Sequence, residues 1–118
     1  MSPDDRDKAY IWDMLDAAPA IQGFLRGKTY QDYLANRMLR SSVEREIEII
    51  GEGARRVSEE LKKAHREIPW RPIIGQRNIL AHEYDDVRHE AIWRVATWRI
   101  PELIVALKAI LPDEMENE

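Results

Sequence analysis

The chain has 118 residues, 44% of them hydrophobic and 34% charged, which suits one soluble domain. No apolar run reaches the length of a membrane span and no basic-then-apolar leader precedes Asp4, so a cytoplasmic location is expected. The absence of cysteine excludes disulfides, thiol nucleophiles and cysteine-based metal sites. The net charge of -4 argues against a polyanionic partner only at first sight: Asp113, Glu114, Glu116 and Glu118 supply it alone, and thirteen of the 18 basic residues are Arg, whose planar fork suits phosphate. The expected division is one domain over 1–112 and an acidic tail over 113–118.

No segment alternates with period two, whereas several repeat at three and four residues, so the whole domain is predicted to be helical. A first helix should open with Ser2 as cap, Pro3 in its first position and Asp4 and Asp5 in its first turn, and should run to about Arg26 before Gly27. Pro19 falls inside it and removes a backbone hydrogen bond, which predicts a kink near Ala18 or a break into two pieces. Thr29 with Asp32 three positions on resembles a capping box, and the helix it opens is expected to continue to about Ala64. Its stripe of Leu39, Val43, Ile47, Ile50, Ala54, Val57 and Leu61 advances by 4, 4, 3, 4, 3 and 4 residues, the pattern of a bundle helix. Gly51 and Gly53 interrupt that stripe; each costs up to about 1 kcal/mol in a helix interior, so close approach of another backbone, as at a dimer interface, is the expected reason.

Pro69 and Pro72 flank the start of a third helix, carried by Ile73 to about Ala81. After the acidic turn Glu83-Tyr84-Asp85-Asp86, a fourth helix is predicted from about Val87 to Leu111, bent at Pro101. The expected architecture is an all-α up-down bundle of four to five helices.

One stretch stands apart chemically. From Arg77 to Tyr84 an Arg, an Asn, a His and a Tyr crowd a helix end and the turn after it. On an ideal helix His82 lies about 7.5 Å along the axis from Arg77 and roughly 140° around it. That separation suits two groups contacting different atoms of one phosphate, and a two-fold axis would bring a second pair to the same cleft. An imidazole can move the protons of a ribose 2′-hydroxyl and a leaving 5′-oxygen, while a guanidinium stabilises charge developing on the phosphorus oxygens. Asn78 could orient either group. By spacing alone the pair is more often a helix-end His and a surface Arg of an ordinary bundle.

The segment Ile68-Pro69-Trp70, the run Ile73-Ile74-Gly75 and the stretch Arg77-Asn78-Ile79-Leu80-Ala81-His82-Glu83-Tyr84 resemble the HEPN superfamily, specifically its HepT-like toxin branch. Asp4-Asp5-Arg6 and the run Ile49-Ile50-Gly51-Glu52-Gly53-Ala54 extend the resemblance over most of the chain. The family pattern of Arg, a polar residue, three more, His, one residue and Tyr is met by Arg77, Asn78, His82 and Tyr84. The resemblance implies a homodimer whose two motifs form one cleft, and in active members a metal-independent ribonuclease toxin encoded beside a nucleotidyltransferase antitoxin. That antitoxin uses ATP to place AMP on the motif tyrosine, which makes Tyr84 the expected acceptor. The same superfamily contains non-catalytic members that bind nucleotides or partners, so a binding subunit of a nucleotidyltransferase complex is the competing expectation. The resemblance also suggests that the run containing Glu52 approaches the motif helix, where Glu52 could orient Arg77; the other reading is a solvated helix face.

The remaining residues are less specific. His65, His82-Glu83 and His89-Glu90 do not have zincin spacing and complete no ligand set, so neither metal nor another cofactor is expected. Trp12, Trp93 and Trp98 sit in helical patterns and are expected in the core, which leaves Trp70, beside Arg71, as the one open to base stacking. Arg55, Arg56, Lys62 and Lys63 form a basic helix end that could guide an RNA backbone but is more often a solvated face. The acidic tail would dock on the antitoxin or stay disordered.

Overall fold

A computed structural model describes residues 4–83 and 88–111, and all regular structure among them is helical. Helix α1 (Asp5–Leu25) is capped by Asp4, whose carboxylate accepts from the amide of Asp7 at 2.8 Å. The cap is therefore Asp4 and not Ser2, which lies with Pro3 outside the described residues. The helix passes through Pro19 without a break. It ends where Gly27 adopts φ 74°, a left-handed conformation that glycine takes at no steric cost.

Thr29 and Asp32 do form a reciprocal box, with Asp32 N donating to Thr29 Oγ1 at 3.1 Å and Thr29 N to Asp32 Oδ2 at 2.9 Å. The helix that follows is short, however. The segment expected to run unbroken to Ala64 is three helices, α2 (Tyr30–Ala35), α3 (Arg37–Arg56) and α4 (Glu59–Ala64). Asn36 and Ser58 separate them because each offers a side-chain oxygen to the amide three residues on, at 3.0 Å for Leu39 N and 3.2 Å for Leu61 N. The apolar stripe survives both breaks, with Val43, Ile47, Ile50, Ala54, Val57 and Leu61 buried and Leu39 partly so. Buried Asp7 accepts from Ser58 N at 2.9 Å and Ser58 Oγ at 2.6 Å, which ties the start of α1 to the start of α4.

Helix α5 (Trp70–His82) starts between Pro69 and Pro72, where the prolines place it: the Trp70 indole donates to the His65 carbonyl at 3.0 Å, and Pro72 occupies a first turn whose amides lack partners. The last rod comprises α6 (His89–Arg94), a π-helical turn (Val95–Arg99) and α7 (Ile100–Ile110); Val87, its expected start, lies outside the described residues. Pro101 has no amide for the Thr97 carbonyl and its ring crowds it, and the backbone widens there so that Ile100 N donates to Val95 O instead.

Helix α3 is the hub, packed against both α1 and α5, while α7 packs on α1. Two glycines make this possible. A Cβ on Gly51 would lie 2.1 Å from Arg77 Cβ on α5, and one on Gly53 would lie 2.8 Å from Met14 Cγ and 3.2 Å from the Tyr10 carbonyl on α1. Both close approaches are within one chain, so the dimer-interface reading of these glycines is replaced by intramolecular crossings.

The tryptophans also depart from expectation. Trp70 is 7% exposed and part of the core, whereas Trp98 is 73% and Trp12 37% exposed. Trp93 behaves as expected, packing on Tyr30 and Tyr33 with ring centroids 5.7 and 5.5 Å away. No helix among the described residues is long and apolar enough to cross a membrane.

Candidate active site

The site is built where α5 crosses α3. Because Gly51 has no side chain, α5 settles close enough for the Arg77 stem to occupy the space a Cβ would take. The side chain then runs along α3 to the next residue, and Arg77 Nη2 meets Glu52 Oε2 at 3.2 Å. Arg77 Nη1 donates to Asn78 Oδ1 at 3.1 Å and lies 3.4 Å from His82 Nε2. The length of the Arg side chain thus closes the angular gap that the helix leaves between positions 77 and 82. Glu52, Arg77, Asn78 and His82 are brought together, while Tyr84 lies outside the described residues.

Arginine has donors only, and Nε2 is the His82 ring nitrogen that faces it. His82 is the last residue of α5 and is exposed, so its ring is open to an incoming ligand. Arg77 is more enclosed, its side chain 23% exposed. A guanidinium whose orientation is fixed on two sides, next to a basic nitrogen, is suited to hold a phosphate while a proton is removed beside it.

Glu52 holds more than Arg77. Arg55 Nη2 and Arg56 Nε each approach Glu52 Oε1 at 2.7 Å, from one turn further along α3. These hydrogen bonds, Arg55 first and Arg56 second, outweigh the cost of burial and lower the Glu52 pKa to about 2, with the charges of Arg55 and Arg77 adding to the effect. One carboxylate therefore serves three guanidinium groups and leaves the cluster cationic. Arg55 and Arg56, expected as part of a basic helix end, turn toward Glu52. Lys62, by contrast, pairs within its own helix with Glu59 at 3.5 Å.

Beside this cluster a cavity of about 380 Å³ opens between α1, α3 and α5, with Arg77, Glu52 and Arg56 in its wall and Tyr10 and Asp13 opposite. Sequence reasoning missed Tyr10 and Asp13. They lie on a helix some sixty residues before the motif, and the one available signal was Gly53, which marks where α1 comes close. Among the described residues no three His, Asp or Glu side chains converge as a metal site.

The sequence profile of a family described as Ribonuclease HepT-like matches residues 14–110. A protein of Thermococcus cleftensis named "Probable ribonuclease HepT" is 33% identical over 81% of this chain and 87% of its own length. A "Putative RNase" of Caldanaerobacter subterraneus subsp. tengcongensis is 31% identical over 91% of this chain and 96% of its own. Another protein of that description, from Methanocaldococcus jannaschii, is 30% identical over 81% of this chain and 88% of its own. No solved structure matches the chain. With the profile spanning the helices that build the Glu52, Arg77 and His82 cluster, the chain belongs to the HepT-like family of ribonucleases.

Proposed function

We propose that the chain is a metal-independent endoribonuclease, acting as a homodimer and as the toxin of a toxin–antitoxin pair. The observation that carries the reading is the 3.4 Å approach of Arg77 Nη1 to His82 Nε2, with Glu52 and Asn78 fixing the guanidinium. A scissile phosphate seated on Arg77 lies beside the basic nitrogen of His82. His82 Nε2 takes the proton of the 2′-hydroxyl, the 2′-oxygen attacks phosphorus, and Arg77 stabilises the charge that builds on the non-bridging oxygens. The bond to the 5′-oxygen breaks, and that oxygen receives a proton from an imidazolium, supplied in a homodimer by His82 of the second copy. The products are a 2′,3′-cyclic phosphate and a 5′-hydroxyl. Imidazole and guanidinium together supply both the proton transfers and the charge stabilisation.

Tyr84 follows His82 by two residues, and its role rests on the family motif. In this reading a nucleotidyltransferase antitoxin directs the Tyr84 oxygen to the α-phosphorus of ATP; pyrophosphate leaves, and the phenolic proton passes to solvent. The resulting adenylate sets a phosphate and a nucleoside next to the cationic cluster, where substrate phosphate must sit, and blocks the enzyme. The test is an RNA cleavage time course in chelator with wild type and His82→Ala, after intact mass has confirmed unmodified Tyr84. Wild type is expected to generate cyclic phosphate ends and His82→Ala to lose about 10²–10⁴-fold in rate. Equal cleavage by both proteins, or none by either on a panel including tRNA, would sink the catalytic assignment.

A further inference from the structure

We infer that the cavity between α1 and α3 is a nucleobase subsite, which seats the base next to the scissile phosphate and selects guanine. The inference rests on the ribonuclease reading of the adjoining cluster. The cavity, about 380 Å³, is at the lower end of the roughly 300–1,000 Å³ range of small-molecule sites and shares Arg77 with the phosphate position. A nucleotide whose phosphate lies on Arg77 therefore has its base within reach of this space.

The lining matches a base in three respects. Tyr10 lines the cavity together with Arg56, which Glu52 holds, and brings an aromatic ring to it. Stacking of unpaired bases on aromatic rings is the usual mode of single-stranded RNA recognition. Ala81, where α5 borders the cavity, is small and leaves room there. Asp13, one helical turn after Tyr10 on the same face of α1, is exposed at the mouth. A carboxylate is an acceptor only, with two oxygens side by side. Among the four RNA bases, guanine alone presents two neighbouring donors, N1–H and the 2-amino group, on its pairing edge. Uracil presents one donor between two carbonyl oxygens, which a carboxylate repels.

The subsite is tested with wild type, Asp13→Asn and Tyr10→Leu in two measurements: cleavage rates across an RNA pool containing every dinucleotide, and calorimetric titration with guanosine and uridine 5′-monophosphates. Wild type is expected to cleave next to guanine at least about tenfold faster than next to uracil and to bind the guanosine nucleotide more tightly. Asp13→Asn, which replaces one acceptor by a donor, is expected to lose both preferences. Tyr10→Leu is expected to weaken both nucleotides about tenfold while leaving the pH profile of cleavage unchanged. Asp13 is exposed, so its variant decides the matter should Tyr10→Leu fail to fold. A guanine preference that survives in Asp13→Asn overturns the inference, as does equal binding of the two nucleotides by wild type. If wild type cleaves RNA without base preference, the subsite falls and the ribonuclease reading stands. If wild type cleaves nothing yet binds the guanosine nucleotide in an Asp13-dependent way, the subsite stands and the ribonuclease reading falls.

Discussion

Gly51 and Gly53 are two residues apart on α3, about 200° around the helix, and the two contacts they permit are of different kinds. On the Gly53 side α3 meets α1 through buried apolar groups, Met14 and Ala54 among them, and the nearby polar link is the enclosed bond pair from Ser58 to Asp7. On the Gly51 side α3 meets α5 through charge, with Glu52, Arg55, Arg56 and Arg77 partly open to water. The difference teaches that the apolar crossing and the charged cluster lie on different faces of one helix, meeting at the cavity that Gly53 and Tyr10 line, and that one substitution can disturb one more than the other.

The sharpest way to break that separation is Gly51→Ala. Its new methyl would overlap Arg77 Cβ, an atom fixed to the backbone of α5, so the helix itself must shift. A loss at the upper end of the roughly 1–3 kcal/mol typical of overpacking is expected in denaturant melts, together with loss of most cleavage activity. Gly53→Ala meets the more pliable Met14 side chain first, and a smaller loss of about 1–2 kcal/mol is expected. Equal losses from the two variants would show that the crossings are alike after all.

Asp7→Ala acts on the Gly53 side alone. It strands the amide and hydroxyl of Ser58 in a partly buried place, for an expected cost of about 1–3 kcal/mol, with kcat/KM of the folded protein unchanged. A change in kcat/KM larger than the change in folded fraction would mean that the two faces communicate.

Glu52→Gln sharpens the comparison from the other side. It keeps the shape and removes the charge that orients Arg77, and kcat/KM is expected to fall about tenfold with KM rising less than kcat falls. The pH dependence follows from the lowered pKa of Glu52. The ionised carboxylate contributes stability in full above its ordinary value of 4.5, and that contribution fades as pH falls toward about 2. Melting of wild type and Glu52→Gln across pH 2–7 is therefore expected to differ by a constant amount above about pH 5 and to converge in acid. A constant gap across the whole range would remove the ion pairs from the account.

Much of this was legible in the sequence because period and capping are local. The three-and-four spacing identified the buried stripe of α3, Thr29 with Asp32 identified the box, and Gly27 the end of α1. The same spacing was silent about Asn36 and Ser58, because a stripe records which face is buried and not whether the backbone continues beneath it. The tryptophans were misread for a related reason. Trp98 shares a helical pattern with buried neighbours, yet the π turn at Val95–Arg99 alters the winding there, and Trp98 faces solvent. At the site, the motif spacing placed Arg77 and His82 about one and a half turns apart on one helix. Only the fold supplies Tyr10 and Asp13, which no periodicity links to position 77.

The triple attachment of Glu52 has a further consequence. A polyanion that approaches Arg77 does not meet a bare Glu52, because Arg55 and Arg56 also hold that carboxylate at 2.7 Å. They act as ballast, keeping the surroundings of the carboxylate positive on balance. A lone Glu–Arg pair would be neutral on balance; three guanidinium groups on one carboxylate leave this surface cationic.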